Sequence, residues 1–297
     1  MRDLHRTLRT ILRHPLNESD KRAALTRYLR WQLGSRLVPG PVLVPFVNQT
    51  KLIAAPGMTG ITQNIYSGLS DFVECGFLLH VLRESDLFVD VGANAGVYTV
   101  LASGAVGASA VTIEPVPETF ARLTANLRVN NICDKVEAHN IGLAREEAML
   151  RFTAEHDTMN HIINDENWTG PSIDVPVSTL DKVLNQRGPK LIKIDVEGWE
   201  AEVLAGATST LRHPSLLAWI VEMNSSEEQF SANELAVHNC LGESGFLPHS
   251  YDPRTRKLEL LPSKSRETCN TIYVRDVQQV ADLVASGASF QLGNRTF

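Results

Sequence analysis

The chain lacks the features that mark membrane-spanning, secreted and disulfide-rich proteins. It contains no run of about 18 or more apolar residues, so we expect no transmembrane helix. Its N-terminus lacks an apolar stretch before a small-residue cleavage site, so we expect no secretory signal and a cytoplasmic location. No two cysteines have C-x-x-C spacing, which disfavours a zinc site or a disulfide framework. Free thiols in a reducing compartment are therefore expected at Cys75, Cys133, Cys240 and Cys269.

Positive charge is also scarce, because the net charge of the chain is −6, which argues against general nucleic-acid binding. The scarcity is uneven: residues 1–36 contain nine Lys and Arg and three acidic residues, a net charge of +6 that leaves −12 on the rest. Among these arginines, apolar residues recur at helical spacing at Leu4, Leu8, Ile11 and Leu12. Two interpretations remain open: a basic helix docked on the protein body, or a peripheral contact with a membrane surface or an anionic partner.

From Leu87 onward, strand-like and helix-like segments alternate, as in a mostly parallel sheet with helices on both faces. A β pair at 148–153 and 172–177 interrupts the alternation. Only a loop separates the last two strands of the sheet, so they should form an antiparallel pair at one edge. The predicted fold class is α/β, with a Rossmann-like, mostly parallel seven-stranded sheet, an antiparallel edge strand and an N-terminal helical extension. The seven strands are predicted at 87–91, 109–114, 135–140, 190–195, 216–222, 246–251 and 270–275.

Four parts follow from this pattern. Residues 1–36 form the basic helical extension, broken near Pro15 and capped near Asn17 or Ser19. Residues 37–85 form a cap with short strands at 42–46 and 51–55 and a helix at 71–83 that leads into the core. The main domain covers 86–276 and includes a helix at 199–211, and residues 277–297 form a C-terminal tail.

The segment Leu87–Thr99 is typical of a strand, a tight glycine turn and a helix start. Asp90 precedes the turn, which contains Gly92, Asn94 and Gly96. Such a turn lets a cofactor approach the backbone closely, and the helix start offers free N–H groups. The simpler alternative is an α/β turn that binds no nucleotide.

The next strand ends in Glu114, 18 residues beyond Gly96, where an acid can hold the two hydroxyls of a ribose. Together with the turn, it predicts an adenosine-type cofactor. A dinucleotide fingerprint would carry a glycine where Asn94 stands, and a diphosphate would lie unfavourably close to Asp90. The same carboxylate suits the ammonium and sulfonium of S-adenosylmethionine, which is the predicted cofactor.

Ligands in open α/β sheets lie beyond the carboxyl ends of the strands, so the other strand ends supply further candidates. The third strand runs into Asn140 and Gly142, a wall for the adenine. The fourth strand carries Lys193 and ends in Asp195, followed by Glu197, and the fifth ends in Glu222. The alternating charges at 193, 195 and 197 on one buried strand are costly unless they are paired or functional. A structural ion network is the alternative interpretation.

With Asp90-Val-Gly-Ala-Asn-Ala-Gly96, Glu114-Pro115 and Lys193-Ile-Asp-Val-Glu-Gly198 in this order, the chain resembles the FkbM family of S-adenosylmethionine-dependent methyltransferases over about residues 71–274. The resemblance implies a class I methyltransferase fold and methyl transfer to oxygen, often on a sugar or polyketide hydroxyl. It also implies that the glycine turn cradles the methionine part and that Glu114 holds the ribose. Asp195 and Glu197 would line the transfer site, and a segment that includes Glu74 would cover the methionine end.

Methyl transfer to an alcohol needs a proton acceptor, for which the candidates are Asp195, Glu222 and His161 in the polar loop 156–161. A Mg²⁺ ion on Asp195, Glu222 and Asn224 is a less favoured route. The predicted partner is a small-molecule acceptor. Two other classes remain open: an NAD-dependent oxidoreductase, and a methyltransferase-fold binding module without activity.

Overall fold

A computed structural model of the chain describes residues 2–37, 40–153, 168–223, 230–265 and 268–297. The candidate base His161, its loop at 156–161 and Asn224 lie outside these ranges. The helices are α1 (Arg2–Arg13), α2 (Lys21–Leu37), α3 (Thr59–Ser67), α4 (Phe72–Val81), α5 (Val97–Thr99, continued by a π-helical stretch at Val100–Val106), α6 (Pro117–Val129), α7 (Leu180–Leu184), α8 (Glu200–Ala205), α9 (Thr208–Arg212), α10 (Ala232–Glu243) and α11 (Val277–Ala285).

The strands form one large sheet and three small ones. In chain order they are β1 (Val42–Pro45), β2 (Lys51–Ala54), β3 (Leu87–Val91), β4 (Ser109–Ile113), β5 (Val136–His139), β6 (Gly142–Leu143), β7 (Ala148–Thr153), β8 (Ser172–Ser178), β9 (Leu191–Ile194), β10 (Ala218–Glu222), β11 (Leu247–Asp252), β12 (Lys257–Leu260), β13 (Asn270–Val274), β14 (Gln291–Leu292) and β15 (Arg295–Thr296). Short 3₁₀ helices cover Pro15–Asn17 and Val47–Gln49.

The large sheet has the order β12-β11-β13-β10-β9-β3-β4-β5. The strands from β10 to β5 run parallel, whereas β13, β11 and β12 join by antiparallel pairing. The α/β class, the mostly parallel sheet and the antiparallel edge are therefore confirmed. The sheet has eight strands rather than the predicted seven, because the sequence analysis missed β12.

Strand register decides which side chains meet at the carboxyl edge of this sheet. Asp90 pairs with Lys193 across β3 and β9, and Lys193 pairs with Ile220 across β9 and β10. Because side chains alternate faces with a period of two, Asp195 and Glu222 continue on the same face as Lys193. Four charged residues therefore converge on one face at neighbouring strand ends.

Both faces of the central strands are buried. On one face, Val89, Ile192 and Trp219 pack with α7 to α10. On the other, Phe88 and Leu191 pack with α4 to α6 and α11. The charged residues belong to this second face, where they lie beyond its apolar core.

The N-terminal extension is helical, as predicted, and breaks at Pro15. The cap of α2 is Asp20, whose Oδ1 accepts the Ala23 N–H at 2.9 Å, rather than the predicted Asn17 or Ser19. Asn17 is buried instead, and its amide donates to the Ile11 carbonyl at 2.9 Å. No helix in the described parts of the chain combines the length and the apolar character needed to cross a bilayer.

Three other segments differ from the prediction. The sequence analysis assigned no helix to the segment that forms α3. The predicted helix at 199–211 is two helices, because Gly206 lies against the Ala144 carbonyl and Asp181 caps the second helix by accepting the Ser209 and Thr210 N–H groups at 2.8 Å each. Residues 277–297 form α11 and the β14–β15 hairpin, and Phe290 between them is buried.

Candidate active site

A cavity of about 300 Å³ lies at the carboxyl ends of β3, β4, β9 and β10, where ligands bind in open α/β sheets. Helix α3 and the segment before α4 supply the opposite wall. The polar lining residues are Thr59, Gln63, Ser70, Asp71, Asp90, Asn94, Tyr98, Glu114, Lys193, Asp195, Glu197 and Glu222. Lys193 is the only cationic residue among the described lining residues, against six carboxyl groups.

The glycine turn lies between the ends of β4 and β9. The N–H groups of Gly92 and Ala93 both donate to the Ile113 carbonyl at 3.0 Å. Gly92 has φ +75°, and a Cβ there would collide with the Asp195 carbonyl oxygen. Asn94 has φ +50° and its N–H points at Glu114. The turn therefore requires glycine at position 92 for two independent reasons, backbone conformation and close approach.

Replacing Gly92 by alanine should destabilise the protein more than the same change at Gly198. Both glycines have positive φ, but a Cβ at Gly198 meets nothing within 4 Å. Because both substitutions strain a backbone of positive φ, the difference between them reports the steric collision alone. Gly92→Ala should therefore lower the free energy of unfolding by about 1–3 kcal/mol more than Gly198→Ala, the range of overpacking. Urea unfolding of both variants measures the difference. Equal losses would mean that the turn yields without strain.

Gly96 has a structural role rather than a lining role. It has φ +83°, and a Cβ there would collide with Leu123 of α6. The missing side chain lets α6 pack against the start of α5. Gly96 is absent from the described cavity wall, so its predicted contact with the cofactor is not supported by its position.

Glu114 lies at the end of β4, with its carboxylate against the glycine turn. Its two oxygens accept the Asn94 N–H and the Val116 N–H, each at 2.9 Å. Burial raises the pKa of Glu114 to about 7, against the lowering effect of these two hydrogen bonds. Each carboxylate oxygen keeps a free lone pair, so the group can still accept hydroxyl donors from the cavity.

Asp90 presents an unpartnered oxygen to the cavity. The residue is 1% exposed, and its Oδ2 accepts the Thr99 hydroxyl at 2.6 Å. Its Oδ1 has no hydrogen-bond partner among the described residues. Burial raises the pKa of Asp90, although the Lys193 ammonium opposes this shift. A buried carboxylate oxygen without a donor is costly, and a cationic donor in the cavity would relieve that cost.

Lys193, Asp195 and Glu222 form a charge cluster at the deep end of the cavity, in which Lys193 is buried and the two carboxyl groups are partly exposed. The Lys193 Nζ donates to Asp195 Oδ2 at 2.7 Å and lies 4.7 Å from the centre of the Tyr98 ring. Burial would lower the pKa of Lys193, but the Asp195 and Asp90 carboxylates outweigh it and raise the pKa above its usual value. The lysine is therefore charged at every physiological pH.

The two carboxyl groups of this cluster share one proton at neutral pH. Burial would raise the pKa of Asp195, but Lys193 and a hydrogen bond from Glu222 lower it. Burial and the neighbouring Asp195 and Glu197 carboxylates raise the pKa of Glu222 to about 10. Glu222 is therefore the protonated partner, and Asp195 is ionised.

Of the remaining predicted residues, some line the cavity and others hold the strands around it. Glu197 has φ +51°, and its carboxylate lies within 4.8 Å of those of Asp195 and Glu222. Gly142 lines the cavity as predicted. Asn140 does not line it: its amide donates to the carbonyls of Glu114 and Pro115 at 2.8 and 3.0 Å, which holds the end of β4.

Glu74 is buried behind the cavity wall and is absent from the described lining. Burial, with a contribution from the nearby Asp71 carboxylate, raises the pKa of Glu74 to about 7. Asp71, three residues earlier, lines the cavity instead, and a contact of Glu74 with the cofactor stays a prediction.

Sequence reasoning missed Tyr98 and the α3 wall. The Tyr98 hydroxyl donates to Asp71 Oδ2 at 3.1 Å, which joins the cap to the glycine turn. Its place in the first turn after Gly96 was a usable signal, since that turn faces the site. The family resemblance placed a segment before the glycine turn over the methionine end of the cofactor, but it singled out neither Thr59 nor Gln63.

The chain is similar to known methyltransferases. The family model of the methyltransferase FkbM domain matches residues 90–256, more than half of the chain. A protein named Methyltransferase 1 from Beauveria bassiana is 31% identical over 147 residues, 41% of this chain and 59% of that protein. Hexuronic acid methyltransferase AglP from Haloferax volcanii is 28% identical over 163 residues, 53% of this chain and 64% of that protein.

A third relative, 31-O-demethyl-FK506 methyltransferase FkbM from Streptomyces tacrolimicus, is 31% identical over 160 residues, 42% of this chain and 60% of that protein. The chain thus spans about three fifths of the length of these curated relatives. The matched residues include the glycine turn and the ends of β3, β4, β9 and β10. The chain therefore belongs to the FkbM methyltransferase-domain family, as its motifs predicted.

Proposed function

We propose that the protein is an S-adenosylmethionine-dependent methyltransferase that methylates a hydroxyl group of a sugar or natural-product small molecule. The carrying observation is the placement of Asp90 and Glu114 beside the glycine turn. Asp90 offers a buried oxygen to a cationic donor, and Glu114 offers acceptors to a pair of hydroxyls. S-adenosylmethionine carries both groups, an ammonium on its methionine part and a ribose, and it supplies an activated methyl group when bound.

The same geometry disfavours NAD. The diphosphate of a dinucleotide would lie over the glycine turn, next to the Asp90 carboxylate. Lys193 is the only cation among the described lining residues, and Asp195 already engages it. A binding module without activity is also disfavoured, because the buried Asp90 and Lys193 impose a desolvation cost that a site without chemistry has no need to maintain.

Calorimetry on the purified protein should detect binding of S-adenosylmethionine and S-adenosylhomocysteine but not of NAD. Glu114→Ala should weaken cofactor binding by about 1.5–3 kcal/mol, the scale of hydrogen bonds to a charged group. Glu118→Ala is the matched control, because Glu118 is an exposed glutamate on α6 and should bind cofactor as the wild type does. Unchanged cofactor affinity in Glu114→Ala would mean that Glu114 does not contact the cofactor.

The chemistry asked of the protein is positioning and proton removal. Holding the acceptor oxygen in line with the methyl group supplies much of the rate, since the methyl donor is already activated. As the oxygen–carbon bond forms, the hydroxyl proton passes to the Asp195 carboxylate. Lys193 fixes that carboxylate at 2.7 Å and keeps it ionised. The low pKa of Asp195 does not prevent this, because the hydroxyl becomes strongly acidic as it is alkylated.

The charge at the transfer end also bears on the acceptor. Asp195, Glu197 and Glu222 surround the place where the acceptor oxygen must lie. An anionic group there would be repelled, since Lys193 is already paired. We therefore expect a neutral hydroxyl, rather than a carboxylate, as the reacting group of the acceptor.

The same three carboxyl groups suggest a divalent cation as a second mechanism. Their oxygens all lie within 4.8 Å of one another, a spacing that hard-ligand metal ions accept. The predicted third ligand, Asn224, lies outside the described residues. We favour the metal-free route, because Lys193 already neutralises Asp195 and would repel a divalent cation.

Activity should accordingly survive treatment with EDTA. Turnover of an acceptor is measured before and after chelation and again after Mg²⁺ is restored. Lys193 supplies the charge that a metal would otherwise provide, so kcat should stay within a few-fold. Loss of turnover on chelation and its recovery with Mg²⁺ would establish the metal mechanism instead.

A further inference from the structure

The outer face of α2 carries three leucines that contribute nothing to the core. Leu29, Leu33 and Leu37 are 56%, 62% and 80% exposed. They recur at every fourth position, so they form one stripe along the helix. The opposite face packs inward through the buried Ala24 and through Tyr28 and Trp31. An ordinary docked helix would place such leucines on its inner face.

Arginines share this outer face with the leucines. Arg22, Arg30 and Arg36 are exposed and lie within about a third of a turn of the leucine stripe by helical spacing. Arg36 donates to the Gln32 side chain at 2.9 Å, whereas no ion pair with another described residue holds Arg22 or Arg30. The exposed Arg6, Arg9 and Arg13 of α1 add to the charge of this segment, which is +6 while the rest of the chain is −12.

We propose that this Leu/Arg face of α2 binds an anionic membrane surface, with the helix lying parallel to the bilayer. Leucines of such a helix enter the boundary between headgroups and acyl chains, and the long arginine side chains reach back to the phosphates. A protein surface could accept the leucines, but it would have to supply acidic partners on both sides of a narrow stripe. A layer of anionic headgroups supplies them everywhere.

The position of α2 would bring the cavity close to the membrane. The Tyr28 and Tyr66 rings pack edge to face with centroids 5.1 Å apart, and Arg27 donates to the Tyr66 carbonyl at 3.0 Å. Tyr66 belongs to α3, which lines the cavity through Thr59 and Gln63. One helix layer therefore separates the proposed membrane face from the candidate active site.

The test is co-sedimentation of the full chain with vesicles, which requires no activity. The wild type should sediment with mixed phosphatidylcholine–phosphatidylglycerol vesicles, less at high salt, and not with phosphatidylcholine alone. The triple variant Leu29→Ser, Leu33→Ser, Leu37→Ser and the double variant Arg22→Glu, Arg30→Glu should each lose roughly tenfold or more in vesicle affinity. Leu260→Ser is the matched control, since Leu260 is 63% exposed on β12, and it should bind as the wild type does.

Unfolding midpoints of all variants should stay near that of the wild type, because the changed side chains are exposed. The proposal is wrong if the wild type stays in the supernatant with anionic vesicles, or if the triple serine variant sediments as the wild type does. Light scattering adds a third outcome. If the wild type is a dimer that the serine variant converts to a monomer, and neither binds vesicles, the face is an interface between copies of this chain and the membrane proposal fails.

Discussion

Asp195→Asn is expected to lower kcat by about 10²–10⁴-fold, the contribution of a positioned proton acceptor. Asparagine keeps the size of the side chain and one acceptor oxygen, but it cannot take the hydroxyl proton. Affinity for the cofactor should stay within a few-fold, since Asp90 and Glu114 supply the proposed cofactor contacts. Steady-state kinetics and calorimetry on the same preparation separate the two effects.

Two further variants sharpen this experiment. Asp174→Asn changes an exposed aspartate on β8 and should leave kcat unchanged. Glu222→Gln should lower kcat less than Asp195→Asn does, because Glu222 is protonated at neutral pH and glutamine still donates to Asp195. A large loss of cofactor affinity in Asp195→Asn would instead mean that Asp195 contacts the cofactor. If neither kcat nor affinity changed, His161 would become the proton acceptor to test.

Lys193→Met is expected to destabilise the protein by about 3–5 kcal/mol, the cost of breaking a buried ion pair. Lys193 is buried, and its ammonium neutralises Asp195 and Asp90. Methionine fills a similar volume but leaves the buried Asp90 carboxylate and the one-third exposed Asp195 carboxylate uncompensated. Urea unfolding at neutral pH measures the loss.

The matched control is Lys182→Met, which breaks an exposed pair with Glu147 of similar length, 2.6 Å. That change should cost no more than about 1 kcal/mol. The stability loss in Lys193→Met should be smaller at lower pH. Without the lysine, the pKa of each carboxyl group in the folded state rises above its value in the unfolded state. The variant therefore becomes less stable as the pH rises. A loss below about 1 kcal/mol at neutral pH would mean that the carboxyl groups are already protonated.

The convergence of Asp90, Lys193, Asp195 and Glu222 could be predicted because it depends only on local rules. Parallel strands bring their carboxyl ends to one edge, and alternation along each strand assigns the face. Glu114 follows from the same rule one strand further along. None of these predictions required knowledge of long-range packing.

The resemblance assigned Gly96 and Glu74 to the cofactor, and the end of the third strand assigned Asn140, but none of the three lines the described cavity. Their actual roles depend on which neighbour packs against them: the carbonyls at the end of β4, Leu123 of α6, and the wall formed by Asp71. Sequence distance to a motif does not contain that information. The same limit hid the place of Thr59 and Gln63 in the cavity wall, because the position of α3 is fixed by contacts with α2 and β2.

β12 was missed for a different reason. It has only four residues, alternates charged and apolar side chains, and lies between Pro253 and Pro262. Such a strand is not marked by a run of apolar residues in the sequence. It forms because its backbone pairs antiparallel with β11. Helix α11 carried a usable signal, since Val280 and Val284 lie four residues apart on one buried face.

The β14–β15 hairpin joins the two ends of the chain. Arg295 donates to the Leu16 carbonyl, the Phe72 and Phe297 rings pack edge to face at 5.4 Å, and Leu292 lies against Gly68 between α3 and α4. During synthesis the parallel strands β3 to β10 are complete before any of these contacts can form. The parallel part of the sheet can therefore assemble early, whereas α3 and α4 on the opposite side of the cavity acquire their final packing only after the β14–β15 hairpin has been synthesised.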